Sequence, residues 1–427
     1  MPDVSFTGLL IVVVIAAAAP LLLGLAPKLR VPSVVLEIVA GIVVGPSGLK
    51  WVKIDLPIQI LSLIGLAFLL FLSGLEIDLD RLRGRLIKLA AIGWLVSIAI
   101  AFGSGELLHA FGWTRSPLLV AVALSATSLG LVVPVLKDAH ESDGQLGQLI
   151  IGAASVADFG AILLLSLFFS TSKGTGTNTK LVLIAGLAVA AVLVAITATR
   201  LGRTMKLSAT LLRLQDTTAE IRVRLSVALL IAFVALASKI GVETILGAFV
   251  AGVMLGRIDR DGMSHPQFRA KLDAIGYGFL IPAFFITSGL RFDLKALLDS
   301  PSAFARIPVF LVLLLIIRGL PAVFYTGTVG RRAAVAAGLL QATSLPLIVT
   351  ATQIGLILGT ISPITAAALV AAGLLSVVIF PPIALALLRK GDTSEQPGAS
   401  SGHDGGLAGG DVEFAEDVSQ VGLHGVR

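Results

Sequence analysis

The sequence predicts an all-α polytopic membrane protein of about thirteen transmembrane helices, arranged as an inverted-topology repeat with two crossed, discontinuous helices. Three observations predict it. The first is composition. Of 427 residues, 56% are hydrophobic and 14% charged, with a mean hydropathy of +0.98, whereas a soluble protein carries about 25% charged residues. So many apolar side chains exceed what a water-soluble core can bury. The second is the succession of apolar segments long enough to cross a bilayer. The third is an eight-residue phrase used twice. Ala126-Thr127-Ser128-Leu129-Gly130-Leu131-Val132-Val133 returns 216 residues later as Ala342-Thr343-Ser344-Leu345-Pro346-Leu347-Ile348-Val349, with six of the eight positions identical.

A hydrocarbon core about 30 Å thick needs roughly 20 apolar residues in a helix. Taken in order, the qualifying segments are 6–26, 32–48, 57–75, 87–105, 116–136, 146–170, 180–200, 222–239, 241–257, 273–290, 303–327, 331–356 and 361–388. The first is a membrane helix kinked at Pro20 and not a leader, because Met1-Pro2-Asp3 lacks a basic stretch. The seventh is followed by the longest internal connection, 201–220, where Leu207, Leu211 and Leu214 recur at helical spacing beside Lys206 and Arg213. Two readings stand for this cytoplasmic linker between the halves, an interfacial helix and a solvated connection. Residues 1–390 are expected to form one membrane domain. From 391 to 427, Gly, Ser, Asp and Glu dominate, the composition of a disordered cytoplasmic tail.

Charge decides the direction of each crossing. With the N-terminus outside, twenty-one Lys and Arg fall in inside segments and nine in outside segments. That asymmetry predicts a multi-pass protein of the cell membrane with its N-terminus outside and its C-terminus in the cytoplasm. The net charge of +6 therefore reports topology and gives no reason to expect a nucleic-acid partner. Cysteine is absent, which excludes disulfides and thiolate metal sites. No phosphate-binding loop, dinucleotide fingerprint or zinc spacing occurs. Neither enzyme activity nor a cofactor is expected.

The repeated phrases lie on the fifth and twelfth segments, an odd number of crossings apart. They therefore run in opposite directions, and paired, interrupted segments of this kind are the sequence pointer to a transporter's binding site. Each phrase carries hydroxyls and a helix breaker, Gly130 or Pro346. Unwinding a helix in mid-membrane frees backbone groups that need a partner, a cavity or an ion. The freed carbonyls, with the hydroxyls of Ser125, Thr127, Ser128, Thr343 and Ser344, are hard oxygen donors suited to small cations. Ser155 and Asp158 follow in Gly152-Ala153-Ala154-Ser155-Val156-Ala157-Asp158, deep in the sixth segment. A carboxylate at that depth marks function by default. A proton and a metal cation can compete for it, which is the minimum machinery of exchange. A permanently protonated Asp158 bonding a neighbouring helix is the bland alternative.

Three further charges are candidates for support. Arg318 is the one basic residue deep in a predicted span and needs an acidic or carbonyl partner. It balances the dipoles of the crossing or ties its helix to a neighbour. Glu37 precedes Gly41 and Gly45-Pro46, and either lines a funnel or bonds a helix end. Glu243, just after Lys239, offers either a cation entry near the outer face or a boundary ion pair. Glu76, with Asp78 and Asp80, is expected to form a solvated rim.

Several stretches resemble the second family of monovalent cation:proton antiporters. Leu36-Glu37-Ile38-Val39-Ala40-Gly41-Ile42-Val43-Val44-Gly45-Pro46 looks like the second-helix signature. Phe71-Leu72-Ser73-Gly74-Leu75-Glu76, Leu246-Gly247-Ala248-Phe249-Val250-Ala251-Gly252 and Pro282-Ala283-Phe284-Phe285-Ile286-Thr287-Ser288-Gly289-Leu290 resemble later motifs in the expected order. That family includes bacterial Na+/H+ exchangers and the membrane domain of K+ efflux systems. The resemblance covers 6–388. It implies a dimer-interface part and a mobile core, elevator-type alternating access, a homodimer, and Asp158 as the acid that holds Na+ or K+ and H+ in turn. It places the unwound segments at 125–128 and 343–346. Electrogenic relatives carry a second acid or an Asn before the Asp and a Lys on the tenth helix. Here Ala157 and Ile286-Thr287-Ser288 stand there, so electroneutral exchange is the expectation. The nucleotide-binding regulatory domain of the efflux systems is not expected. The alternative is a cation-coupled symporter of an organic anion, its carboxylate held by Arg318 and two helix N-termini. A non-transporting membrane sensor is the third possibility.

Overall fold

The computed structural model describes residues 5–25, 32–76, 85–138, 141–142, 144–169, 177–202, 220–258, 266–299 and 301–392. Among these residues the chain is helical throughout, with no strand. The helices are α1 (Phe6–Leu25), α2 (Ser33–Val44), α3 (Leu56–Glu76), α4 (Arg85–Ala110), α5 (Pro117–Ser125), α6 (Leu129–Asp138), α7 (Gln145–Phe169) and α8 (Thr177–Gly202). After the linker come α9 (Ile221–Ile240), α10 (Thr244–Ile258) and α11 (Pro266–Ile275), which runs through a π turn (Gly276–Leu280) into α12 (Ile281–Leu290). A short α13 (Leu294–Leu298) precedes α14 (Pro301–Leu314). A second π turn (Leu315–Gly319) and a 3-10 stretch (Leu320–Tyr325) carry α14 into α15 (Thr326–Val329). The chain ends with α16 (Arg331–Gln341), α17 (Pro346–Ile357) and α18 (Pro363–Asp392).

Among the described residues, nine helices are long and apolar enough to cross a membrane, and four shorter apolar helices accompany them. Every segment expected from the sequence coincides with one of these. The largest boundary difference is at α11, which begins at Pro266, ahead of the expected 273. Its first turns, Pro266-Gln267-Phe268-Arg269-Ala270-Lys271-Leu272-Asp273, are too polar to read as membrane helix, yet they continue the same helix. Pro20 lies inside α1, which continues through it. Residues 203–219, which hold Leu207, Leu211 and Leu214, lie outside the described residues, as do Asp78, Asp80 and the tail from 393.

The helices sort into two packing groups. One contains α1–α3 and α9–α12, the other α4–α7 and α14–α18, and α8 lies against α10 and α7. In the first group two parallel pairs are built alike. Gly41 of α2 and Gly289 of α12 meet backbone to backbone, so that a Cβ on either would overlap the other helix. Gly252 of α10 and Gly74 of α3 do the same against Phe71 and Phe249. Small residues at these crossings let helices approach closely in an apolar solvent. The two pairs are a second internal repeat. Val39-Ala40-Gly41 with Gly45 matches Val250-Ala251-Gly252 with Gly256, and Ser73-Gly74-Leu75 matches Ser288-Gly289-Leu290.

Large buried side chains fill the interior, among them Phe68, Phe71, Phe249, Phe284, Phe285 and Phe310. The two groups meet along a seam. There Phe159 of α7 stacks on Phe249 of α10, ring centroids 5.7 Å apart. The Glu243 amide before α10 donates to Ser166 Oγ of α7 (3.3 Å), and Arg291 after α12 donates to Gln353 of α17 (3.0 Å).

Candidate functional site

Both repeated phrases are breaks in a helix, and the breaks lie against each other. The first leaves Ala126–Ser128 non-helical between α5 and α6, and the second leaves Ala342–Leu345 between α16 and α17. Ser125 is therefore the last residue of α5 and not part of the unwound segment. Gly130 lies inside α6 and does not break it. Pro346 does act as a breaker. As the first residue of α17 it supplies no N–H where none is needed and cannot extend α16.

The backbone groups freed by these breaks can be followed one by one. A helix leaves its last four carbonyls without intrahelical partners. At the end of α16 all four are met. Ala342 N–H donates to Gly338 O (3.0 Å) and Thr343 N–H to Leu340 O (3.2 Å). Thr343 Oγ1 donates to Leu339 O (3.3 Å), and Thr127 Oγ1 reaches across from the other break to Gln341 O (2.7 Å). At the end of α5, Ser125 Oγ donates to Val122 O (3.0 Å). The two breaks are joined directly where Ser128 N–H donates to Thr343 O (3.0 Å).

Arg318 stands behind this junction. It is fully buried, 1% exposed, and lies in the second π turn. An extra residue per turn re-aims side chains, and such turns collect at functional sites. Its Nε donates to Thr127 Oγ1 (2.8 Å) and its Nη1 to Ser97 Oγ of α4 (3.2 Å). The Thr127 hydroxyl thus accepts from a guanidinium and donates to the C-terminal carbonyl of α16, which directs positive charge at a negative helix end. Ser97 shares its helix with Trp94, whose ring covers Gly160 of α7 so closely that a Cβ there would overlap it.

Asp158 lies on the opposite side of the first break. Its Oδ2 accepts the Leu129 N–H at the start of α6 (3.2 Å), and the Thr127 N–H is a second backbone donor. A carboxylate at a helix N-terminus is favoured by the helix dipole and by the free N–H groups. Arg318 is near enough for its charge to act on Asp158. Ser155, one turn earlier on α7, is buried and donates to Ile151 O (2.8 Å). Ser344 is buried at the second break. Its amide donates to Ser376 Oγ of α18 (3.3 Å), while its own Oγ has no hydrogen-bond partner among the described residues. Ser128 is buried at the first break.

The structure therefore brings together Asp158, Thr127, Ser128, Ser155, Thr343, Ser344 and Arg318, with Ser125 at the edge. Glu37 and Glu243 lie elsewhere. Glu37 is buried in α2, 3% exposed, with Ser33 as hydrogen-bond partner. Glu243 precedes α10, level with Ser166, which is eight residues beyond Asp158 on α7 and about 12 Å along its axis. Two residues near the site escaped the sequence. Glu76, expected in a solvated rim, is the last residue of α3 and is partly buried. Its charge acts on both Asp158 and Tyr277. Tyr277 lies in the first π turn. The signal for Glu76 was its attachment to the Ser73-Gly74-Leu75 motif, whose glycine packs α3 tightly against α10. Among the described residues no three His, Asp or Glu converge as a metal cage.

Residues 13–390 match the family model for the transmembrane sodium/hydrogen exchanger. The YjbQ protein of Bacillus subtilis, whose name gives it provisionally as a Na+/H+ antiporter, is 32% identical over 412 residues. That match covers 93% of this chain and 65% of the relative, so the chain spans about two thirds of that protein's length. A Na+/H+ antiporter of Enterococcus hirae is 28% identical over 307 residues, covering 68% of this chain and 74% of the relative. Among solved structures, the sodium proton antiporter MjNhaP1 of Methanocaldococcus jannaschii superposes with a TM-score of 0.62 at 18% identity. It covers 89% of this chain and 97% of its own, and at that identity the likeness is one of fold.

Proposed function

The chain belongs to the sodium/hydrogen exchanger family, and we propose that it exchanges a monovalent cation, Na+ or K+, for H+ across the cell membrane. One observation carries the proposal. Asp158 is a carboxylate held by backbone N–H groups at the mouth of one broken helix, and the negative end of the opposing broken helix, at Gln341, is faced by Arg318 through Thr127. The fixed partial charges of the crossing are thus matched without occupying Asp158 with a permanent ion pair. Asp158 then binds the cation as a carboxylate or carries the proton as an acid, one at a time. Backbone carbonyls at the breaks, with the Ser128, Ser155 and Ser344 hydroxyls, are the oxygen donors at hand for a partly dehydrated cation. Thr127 and Thr343 hold the helix ends and reach the ion only indirectly.

The two packing groups suggest how access alternates. The group holding both breaks, Asp158 and Arg318 moves as a mobile core. The glycine-packed group with α1–α3 and α9–α12 stays fixed and supplies the surface through which two copies pair as a homodimer. We read the nine long and four short apolar helices as thirteen crossings, N-terminus outside. One titrating acid implies one proton for one cation and hence electroneutral exchange. Glu76 makes this a sharp condition, since a second carboxylate titrating with Asp158 would allow two protons. No observation favours organic-anion symport. The family is one of exchangers, and Arg318 directs its Nε and Nη1 at Thr127 and Ser97.

The test is purified protein in proteoliposomes with a pH-sensitive dye inside. Addition of Na+ or K+ is expected to release protons with wild type, and Asp158→Asn is expected to abolish that release while remaining monodisperse. Retained exchange in Asp158→Asn would move the site elsewhere. A rate that follows an imposed membrane voltage would reject electroneutrality.

A further inference from the structure

The two π turns among the described residues both present a long polar side chain to the first break. From the second turn Arg318 reaches Thr127. From the first turn Tyr277 approaches Gly130, the residue after the Leu129 amide that holds Asp158. The position a Cβ would occupy on Gly130 lies 3.6 Å from Tyr277 Oη and 3.8 Å from Ser73 Oγ. Tyr277 and Ser73 belong to the glycine-packed group, and Gly130, Leu129 and Asp158 to the other. The phenol therefore stands on the far wall of the seam, facing the mouth of α6.

Tyr277 is 40% exposed, and Asp273, one turn before it on the same face of the helix, is exposed as well. Ser73 Oγ donates to Leu69 O (2.9 Å), so its lone pairs are turned to acceptor use. A neutral phenol and a neutral hydroxyl are hard oxygen donors that can complete a cation's coordination without adding charge.

We propose that Tyr277, with Ser73, supplies fixed-wall oxygen ligands to the cation bound at Asp158, and that the reach of the phenol across the seam sets which cation is preferred. This rests on the exchange reading above. The π turn has a defined part in it, because the extra residue aims the ring at Gly130. Glycine at 130 keeps that mouth open, where a larger side chain would stand between the phenol and the amide.

The experiment compares wild type, Asp158→Asn, Tyr277→Phe and Ser73→Ala in proteoliposomes, each titrated with Na+, Li+ and K+. Cation-dependent thermal stabilisation of the same proteins in detergent is measured in parallel. Tyr277→Phe keeps the ring and its packing. It is expected to raise half-saturating Na+ about tenfold in both measurements, the loss for one contact to a charged group. It is also expected to change the order or spacing of the three cations, with the maximal rate within about twofold of wild type. Ser73→Ala is expected to act in the same direction and more weakly. Half-saturation and cation preference within about twofold of wild type in Tyr277→Phe would overturn the proposal. So would a fall in maximal rate with unchanged half-saturation. Exchange surviving in Asp158→Asn would instead strike Asp158 as the cation site, and the stabilisation assay would still report whether Tyr277 contacts the cation.

Discussion

In the first break the Thr127 hydroxyl crosses to Gln341 of the other break and accepts from Arg318, while the Leu129 amide beyond it is held by a carboxylate, Asp158. In the second break the Thr343 hydroxyl turns back onto its own helix at Leu339, and the Ser344 amide is held by a neutral hydroxyl, Ser376. The same four residues, Ala-Thr-Ser-Leu, thus do different work in the two copies. The glycine-packed pairs behave otherwise. Gly41 against Gly289 and Gly252 against Gly74 are near-copies in sequence and in contact. The repeat has stayed matched where the requirement is close approach of two backbones. It has diverged where a charge has to be held. One carboxylate and one guanidinium suffice for the crossing, and duplicating either would bury an ion lacking a counterpart.

Three sets of substitutions break or sharpen that contrast. The largest effect is expected from Arg318→Ala. It removes two charge-assisted hydrogen bonds, to Thr127 and Ser97, at a cost of about 3–5 kcal/mol. Thermal unfolding in detergent should show it, and exchange should be lost. Arg318→Lys keeps the charge without the planar fork and should fall between. A wild-type melting curve for Arg318→Ala would mean the crossing is neutralised by something else.

Next come Gly41→Ala and Gly252→Ala. In each a methyl is forced onto a facing carbonyl, of Ile286 or Phe71, and overpacking costs about 1–3 kcal/mol. The two losses should be equal within error. Unequal losses would show that the packed pairs have also diverged.

The smallest effect is a difference. Thr127→Ala strands the Gln341 carbonyl and one Arg318 donor, for about 2–3 kcal/mol. Thr343→Ala loses one bond within its own helix, for about 1 kcal/mol or less. Equal destabilisation in the two variants would remove the asymmetry on which the comparison rests.

Much of this was legible from the chain. Length and hydropathy located the long apolar helices, because a bilayer-spanning segment must be apolar regardless of its neighbours. The repeated phrase located both breaks to within a residue or two, and Asp158 was evident because a carboxylate in an apolar run is costly. Other features were not legible. Ser125 fell to the helical side of its break because its hydroxyl caps Val122 there. Gly130 turned out to keep space open and not to break a helix. Glu76 read as rim because its chain neighbours Asp78 and Asp80 are polar, while α10 and the mouth of α6, which place it, are remote in sequence. The second repeat was present as two Ser-Gly-Leu and two Val-Ala-Gly phrases, but three-residue echoes carry meaning only when their glycines are seen to seat against a facing backbone.

The sequence by itself determined that the chain spans a membrane, where its apolar segments lie, and that two of them break around hydroxyls near one acid. Those properties are local: apolar length and the residues at a break suffice to set them. Only the tertiary structure decided the partners. Thr127 faces Arg318, 191 residues away, and Ser128 donates to Thr343 in the opposing break. Which carbonyl a hydroxyl meets, and which wall a phenol faces, depends on how two helices cross. The chain specifies that crossing through shape and close packing and not through any pattern along its length.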